Sequence, residues 1–415
     1  MKILHVVESY DPMLHGMQQV VKQLSERLVE LGHTVTVATS YHNKRTIFNL
    51  NGVQIESFKI AGNAVNGYES TDGEINRYID FVKSPRFDIV TIFAAHQWSC
   101  DILLPILNEI PSKKVFVPTG FSQLYNKKYS NYFVGMRSWL KEFDKLIFLS
   151  NDYRDINFAR EYGAVDFEII TNGAAKDEFY NLSQQYIKDE LGIPDDHLLF
   201  LNVSSHTGLK GHGETIKLFK KANIRKATLL IIGNTIHSSI FKTFVKRCLS
   251  VLTPISGIKY FPQCYDSCRR KSVYHNMIAR ITNSHNKILI KNLSRTQTLR
   301  AYMAADLFLF TSNLECSPIV LFECMASKTP FLTTDVGNAA EIISWSGSGQ
   351  LLPTTKINQN YSVVKMDDSV KMLRELIANS KLRKGMAEHG YESWLENFTW
   401  ENITTKYEYV YRSLL

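Results

Sequence analysis

Glu315 and Glu323 flank seven mostly apolar residues within the stretch 313–343. A carboxylate accepts two strong charge-assisted hydrogen bonds, so a pair at this spacing suits the vicinal hydroxyls of a sugar better than it suits a phosphate. What lies between the two acids does suit a phosphate. The run 318–325 reads as a helix, with Ser317 placed to cap its start and Pro318 in the first turn, where a missing N–H costs nothing. The amides of Ser317, Ile319 and Val320 then point out of the helix end, whose unpaired donors and partial positive charge make a seat for a diphosphate. Glu315 precedes that seat, and Glu323 lies about two turns into the helix. An isolated pair of acids at this spacing also occurs on ordinary buried helices, so the surrounding sequence must decide.

The elements that would position these residues alternate between strand and helix. A continuous apolar run at 2–7 suits a strand buried on both faces, and 17–31 repeats apolar residues at helical spacing until Gly32 and His33 stop it. A strand at 34–39 and short apolar runs at 89–93, 114–117, 146–149 and 168–170 alternate with amphipathic stretches, the pattern of a parallel sheet covered by helices. A polar segment, 181–196, precedes a second start at 198–203, which leads into the same alternation. The expectation is an α/β chain of two Rossmann-like parallel-sheet domains, 1–185 and 196–390, with 391–415 returning to the first. In such sheets ligands bind beyond the carboxyl ends of the strands, so the two domains are expected to face across a cleft with loops from both.

With Ala305-Asp306-Leu307, Thr311-Ser312, Thr334-Asp335-Val336-Gly337 and Glu341 around it, the acidic pair resembles the E-x7-E signature of retaining glycosyltransferases of family four. The resemblance covers almost the whole chain and implies the GT-B fold, with 1–185 holding the acceptor and 196–390 the nucleotide-sugar donor. It implies that Glu315 contacts the donor sugar and Glu323 the ribose. Lys210-Gly211-His212 matches the family's K-G-H loop, whose lysine neutralises donor phosphate, so Glu315 and Lys210 are the expected catalytic pair. Gly16, after His15, stands where the family has two glycines that let backbone approach donor and acceptor. Asn172-Gly173 matches the end of the first domain, and Phe398–Trp400 with 407–411 the last helices.

Departures from the family pattern carry expectations too. Ser205 occupies the place of an arginine that would clamp the diphosphate, and His206 is a substitute donor there. Thr119 stands where a histidine is usual, with His96 as another candidate from the first domain. Lys328 replaces a glycine after the Glu323 helix, where a left-handed cap costs about 1 kcal/mol. The stretch 234–291 reads as an insertion.

No D-x-D motif occurs, so the resemblance implies a metal-independent transfer, without cofactor, in which Lys210 and the helix start stabilise the leaving group. The donor is expected to be a UDP- or GDP-sugar and the acceptor a glycan or lipid-linked glycan, in the family's commonest setting of cell-surface polysaccharide assembly. Aromatic and basic residues in 68–83 and 125–137, read as loops, suit such an acceptor. Lys242, Lys246, Arg247, Arg269, Arg270 and Lys271, interleaved with Phe241, Phe244, Val251 and Leu252, suit contact with an anionic membrane surface. A catalytically silent scaffold and a sugar-nucleotide epimerase or phosphorylase of the same fold are the competing readings.

Composition bounds these choices. The chain has 415 residues, 44% of them apolar, enough for two cores. No apolar run is long enough to span a bilayer, and the first strand is too short for a signal peptide, so a cytosolic protein is expected. Six cysteines suit a reducing compartment, and the Cys264–Cys268 pair, followed by His275 and His285, lacks a second ligand pair for a metal. A net charge of +8 suggests an anionic partner, but no nucleic-acid module is present. After the first strand, 9–19 lacks G-x-G-x-x-G, which argues against a dinucleotide oxidoreductase.

Overall fold

The computed structural model describes residues 1–13, 15–180, 187–233, 264–282, 285–357 and 361–415. Lys242, Lys246, Arg247, Phe241, Phe244, Val251, Leu252 and Asn234 lie outside the described residues. The chain forms two compact units. One comprises Met1–Ala175, Cys316–Ile319 and Glu396–Leu415, the other Lys176–Glu315 and Val320–Leu395.

Among the described residues, the first unit is built on an eight-stranded sheet. From one edge its strands run Phe167–Ile169, Lys145–Phe148, Lys113–Val117, Ile89–Phe93, Lys2–Val6, Thr34–Ser40, Val53–Phe58 and Asn49–Leu50. All neighbours pair in parallel except the last two. The central strands are apolar on both faces because both are covered, as parallel crossovers require. Helix Gly16–Glu30 covers one face with Val20, Val21, Leu24 and Leu28. Helix Trp400–Leu414 joins it there through Trp400, Ile403, Tyr407, Val410 and Tyr411. Polar atoms link the two helices to each other and to the sheet. The Tyr411 hydroxyl lies 2.7 Å from Thr91 Oγ1 and 3.3 Å from His5 Nε2, and Arg27 donates to Glu401 at 2.9 and 3.0 Å.

The second unit has a six-stranded, all-parallel sheet among the described residues. Its order is Lys287–Lys291, Ala227–Ile232, Leu198–Val203, Leu307–Phe310, Phe331–Thr333 and Gly349–Leu351. Helix Lys176–Tyr180 belongs to this unit and does not close the first. Its Phe179 packs edge-on against Trp394, at 6.4 Å between ring centroids.

Of the stretch 234–291, read as an insertion, residues 234–263 lie outside the described residues, and the remainder holds helix Tyr265–Ile281 and strand Lys287–Lys291, which pairs in parallel with Ala227–Ile232. Two readings of the sequence need correction. The stretch 68–83 is not a loop, because it carries strand Gly67–Ser70 and helix Glu74–Val82. The stretch 125–137 likewise contains helix Ser130–Trp139, and Tyr129, Tyr132 and Phe133 are buried core, leaving Tyr68 and Tyr125 as exposed rings. Among the described residues no helix is long and apolar enough to cross a membrane.

Candidate functional site

In the second unit, strand Leu198–Val203 lies between Ala227–Ile232 and Leu307–Phe310, so the chain leaves it in opposite directions on either side. Such a switch point opens a crevice at the carboxyl ends of the strands. The two loops that rise there, after Leu198–Val203 and after Leu307–Phe310, carry Lys210 and Glu315. They are laced together: Asn313 N donates to Leu209 O at 2.9 Å and Thr311 Oγ1 to Gly211 O at 2.7 Å. Gly211 is left-handed at φ 65°, and a Cβ there would fall 1.7 Å from the Thr311 carbonyl oxygen. Only glycine permits that approach.

This lacing brings Lys210 Nζ to 2.6 Å from Glu315 Oε1, across 105 residues of sequence. Ser312 Oγ donates to the same oxygen at 2.8 Å. Both charged side chains are mostly shielded from solvent, so each fixes the other in place. Ser205, on the same loop as Lys210, is half-buried, and its carbonyl accepts from Thr207 N at 2.8 Å.

Helix Ile319–Ala326 follows, and Glu323 on it is buried. Its carboxylate meets Arg295, with Nη1 to Oε1 at 2.5 Å, while Arg295 Nη2 donates to Glu178 at 2.6 Å. Burial disfavours charge on Arg295, but Glu323 and Glu178 outweigh it and hold the guanidinium protonated. Neither Arg295 nor Glu178 is part of the site as read from sequence. A local signal for the arginine existed: Ser294 and Gln297 form a capping box that fixes Arg295 as the first residue of helix Arg295–Ala304.

The start of the Glu323 helix differs from the reading of it. The helix begins at Ile319, and the Ser317 hydroxyl is buried without a hydrogen-bond partner among the described residues, so it caps nothing. The first-turn amides at Ile319 and Val320 still lack in-helix partners by construction. Cys316–Ile319 packs with the first unit, where Asn172 Nδ2 donates to Ser317 O at 2.9 Å. At the far end Lys328 takes the left-handed cap at φ 56°, as a glycine would. Its ammonium reaches Glu388 at 2.8 Å.

The first unit presents different material at its strand ends. Gly16 is the first residue of its helix, and a Cβ there would sit 3.6 Å from Ile319 Cδ1, an ordinary contact. His15 is extended and is not left-handed, and its Nε2 lies 2.7 Å from Ser9 Oγ. Arg45 braces this loop by donating to Asp11 O and Ser40 O, each at 2.8 Å. Beyond the neighbouring strands, Ala94, His96, Thr119, Gly120 and Phe121 are all left-handed. Asp155 holds the turn by accepting from Gly120 N at 2.7 Å, and burial pushes its carboxyl up to about 6. His96 stands among Phe121, Tyr129, Tyr132 and Phe133, and burial lowers it to about 4, which favours neutral imidazole.

Comparisons with known proteins bear on what these crevices serve. Residues 183–393 match the family model described as Glycosyl transferases group 1. The lipopolysaccharide glucosyltransferase WaaG of Escherichia coli is 22% identical over 391 residues, 90% of this chain and 89% of that protein. The N-acetyl-alpha-D-glucosaminyl L-malate synthase of Bacillus anthracis is 21% identical over 60% of this chain, and the match spans 54% of that enzyme. Among solved structures, sucrose-phosphate synthase from Thermosynechococcus elongatus superposes with a TM-score of 0.72 at 16% identity, covering 100% of this chain and 98% of the other. Anabaena HepE in complex with UDP-glucose superposes with a TM-score of 0.68 at 13% identity, covering 100% of both chains. Two parallel-sheet units of this topology, with the family match running through most of the second, lead to one assignment: the chain belongs to the group 1 glycosyl transferases and has the GT-B fold.

Proposed function

We propose that this glycosyltransferase takes a sugar from a nucleoside-diphosphate donor, UDP- or GDP-linked, and transfers it with retention to a glycan or lipid-linked acceptor in the assembly of a cell-surface polysaccharide. The observation that carries the reading is the Lys210–Glu315 pair, 2.6 Å apart at the switch point of the donor unit. The named activity of WaaG, a lipopolysaccharide glucosyltransferase, and the UDP-glucose bound to HepE support the substrate classes.

In this reading the bond from the anomeric carbon to the β-phosphate oxygen breaks, and the nucleoside diphosphate leaves with its electron pair. The acceptor hydroxyl attacks from the same face and gives its proton to the departing phosphate oxygen. Lys210 neutralises charge that grows on that oxygen, which is where a fixed ammonium lowers a barrier most. Arrival of the diphosphate releases Lys210 from Glu315, whose carboxylate then accepts from the donor sugar's hydroxyls. Glu323, oriented by Arg295, accepts from the ribose diol. The leaving group needs no divalent ion, and turnover is expected to be independent of added Mg2+ or Mn2+.

The described part of the basic segment adds a place for the acceptor's membrane. Helix Tyr265–Ile281 exposes Arg269, Arg270 and Lys271 beside Val273, Tyr274, Met277 and Ile281, a mixture suited to an anionic headgroup layer. Flotation with anionic vesicles is expected to exceed flotation with neutral ones, and equal recovery would reject the contact. The transfer itself is tested by proton NMR of the product: an α-linked donor must give an α-linkage, and a β-linkage would contradict the reading.

A further inference from the structure

Four side chains of the second unit gather next to the loop that carries Lys210, and the transfer as proposed uses none of them, since His206, expected to stand in for the clamp arginine, is buried against Cys264. His206 lies on that loop, and His212 is the first residue of helix His212–Ala222. Cys264 is the N-cap of helix Tyr265–Ile281, and Cys268 lies one turn further on. One ligand atom from each of His206, Cys264 and Cys268 lies within 4.8 Å of the others. Cys264 Sγ is 3.3 Å from His206 Nδ1 and 3.4 Å from His212 Nδ1. The two imidazoles stack with centroids 4.3 Å apart.

Those distances match coordination geometry. With Zn–S near 2.3 Å and Zn–N near 2.0–2.1 Å, a nitrogen and a sulfur on one tetrahedral ion lie about 3.5 Å apart. Hydrogen bonds from the imidazoles to the Cys264 thiol account for the arrangement only in part. His206 is 1% exposed, its Nε2 is buried with no partner among the described residues, and its other nitrogen faces only a thiol, a weak hydrogen-bonding group. His212 is oriented from outside the cluster, its Nε2 lying 2.9 Å from Ser204 Oγ, as the second ring nitrogen of a metal-bound histidine usually is.

We propose that His206, His212, Cys264 and Cys268 form a structural zinc site that ties the start of helix Tyr265–Ile281 to the Lys210 loop. Two thiolates and two imidazoles favour zinc over magnesium, manganese or calcium, which prefer oxygen. His206, Cys264 and Cys268 already stand within ligand distance of one another, and His212, held beside Cys264, would complete the sphere by a small shift and leave no position for a reacting group, so the ion is structural. The histidines that join the cysteines are the two upstream of them. His275, which follows in sequence, packs against Phe219 instead, at 6.2 Å between centroids.

The test is a titration of Co2+ into the reduced, metal-stripped full-length protein, followed by absorption. The site predicts saturation at one ion per chain, an intense thiolate-to-cobalt charge-transfer band, tetrahedral d–d bands, and displacement of the colour by Zn2+. Cys264→Ser combined with Cys268→Ser must abolish the charge-transfer band, and His212→Ala must weaken binding by at least about tenfold. His275→Ala must leave the spectrum unchanged. A wild-type spectrum without charge transfer, or one that survives the double cysteine variant, overturns the proposal. Should the double variant fail to fold, the wild-type spectrum decides alone.

Discussion

The two sheets end in different materials. At the switch point of the second unit the side chains are ionic and paired: Lys210 with Glu315, and Arg295 with Glu323 and Glu178. At the strand ends of the first, the chain holds strained backbone around neutral or weakly charged groups, with four non-glycine residues left-handed and His96 kept neutral by burial. Left-handed non-glycine residues cost of order 1–3 kcal/mol each and persist only where the surroundings over-determine them. One unit therefore presents fixed, paired charge, and the other a shaped backbone around mostly neutral groups. That contrast is what a donor bearing a diphosphate and an acceptor bearing hydroxyls would ask of two halves of one enzyme.

The largest effect should come from removing the ammonium. Lys210→Ala is expected to slow release of nucleoside diphosphate by about 10²–10³-fold without loss of fold, as removal of one transition-state donor does elsewhere. Turnover within a few-fold of wild type would place the catalytic charge somewhere else. Next is the backbone that positions it. Gly211→Ala drives a Cβ into the Thr311 carbonyl, and a stability loss of about 3 kcal/mol is expected from clash and strain together. An unchanged melting temperature would show that the two loops are not laced as described.

The first unit should respond to acid instead. Burial lowers His5 from its ordinary 6.5 to about 3, so below pH 6.5 the unfolded chain binds a proton that the folded chain refuses. Stability from this group is fully present above pH 6.5 and is lost as pH falls towards 3, at about 1.4 kcal/mol per pH unit for one proton. Asp155 and Asp101, raised by burial to about 6, work the other way: their contribution is present below the ordinary carboxylate pKa and is lost as pH rises through about 6. Comparing unfolding of wild type and His5→Asn between pH 6.5 and 5 isolates the histidine. The variant should be less acid-sensitive, and identical slopes would show that His5 is not buried neutral.

The smallest expected change in stability is at Gly16. Alanine there meets only an ordinary contact, so the melting temperature should hold to within about 0.5 kcal/mol while the Michaelis constant rises. A fall in stability instead would make Gly16 a packing residue.

How much of this was legible depends on what kind of residue carries the information. Strands Ile89–Phe93 and Leu198–Val203 could be read to the residue because parallel strands buried on both faces are continuous apolar runs. Strand Val53–Phe58, whose apolar residues are broken by Gln54, Glu56 and Ser57, and the hairpin Ile60–Asn63 with Gly67–Ser70, short, partly exposed and interrupted by glycines, could not. Tyr129, Tyr132, Phe133, Met136 and Leu140 recur at helical spacing, and that period outweighs what their rings could do for a sugar. Within the site, Glu315, Glu323 and Lys210 stand in motifs, whereas Arg295 joins them only because the fold brings helix Arg295–Ala304 beside Glu323. His206 and His212 find Cys264 and Cys268 for the same reason, across a gap no spacing rule spans.

The central claim is that the second unit seats a nucleoside diphosphate on Lys210. Isothermal titration of UDP and GDP into the wild-type protein and into Lys210→Ala tests it directly. One site per chain is expected for one of the two nucleotides, weakened at least tenfold in the variant, since a fixed ammonium beside a diphosphate contributes about 1.4 kcal/mol or more. No heat with either nucleotide, or equal affinity in the two proteins, would contradict it.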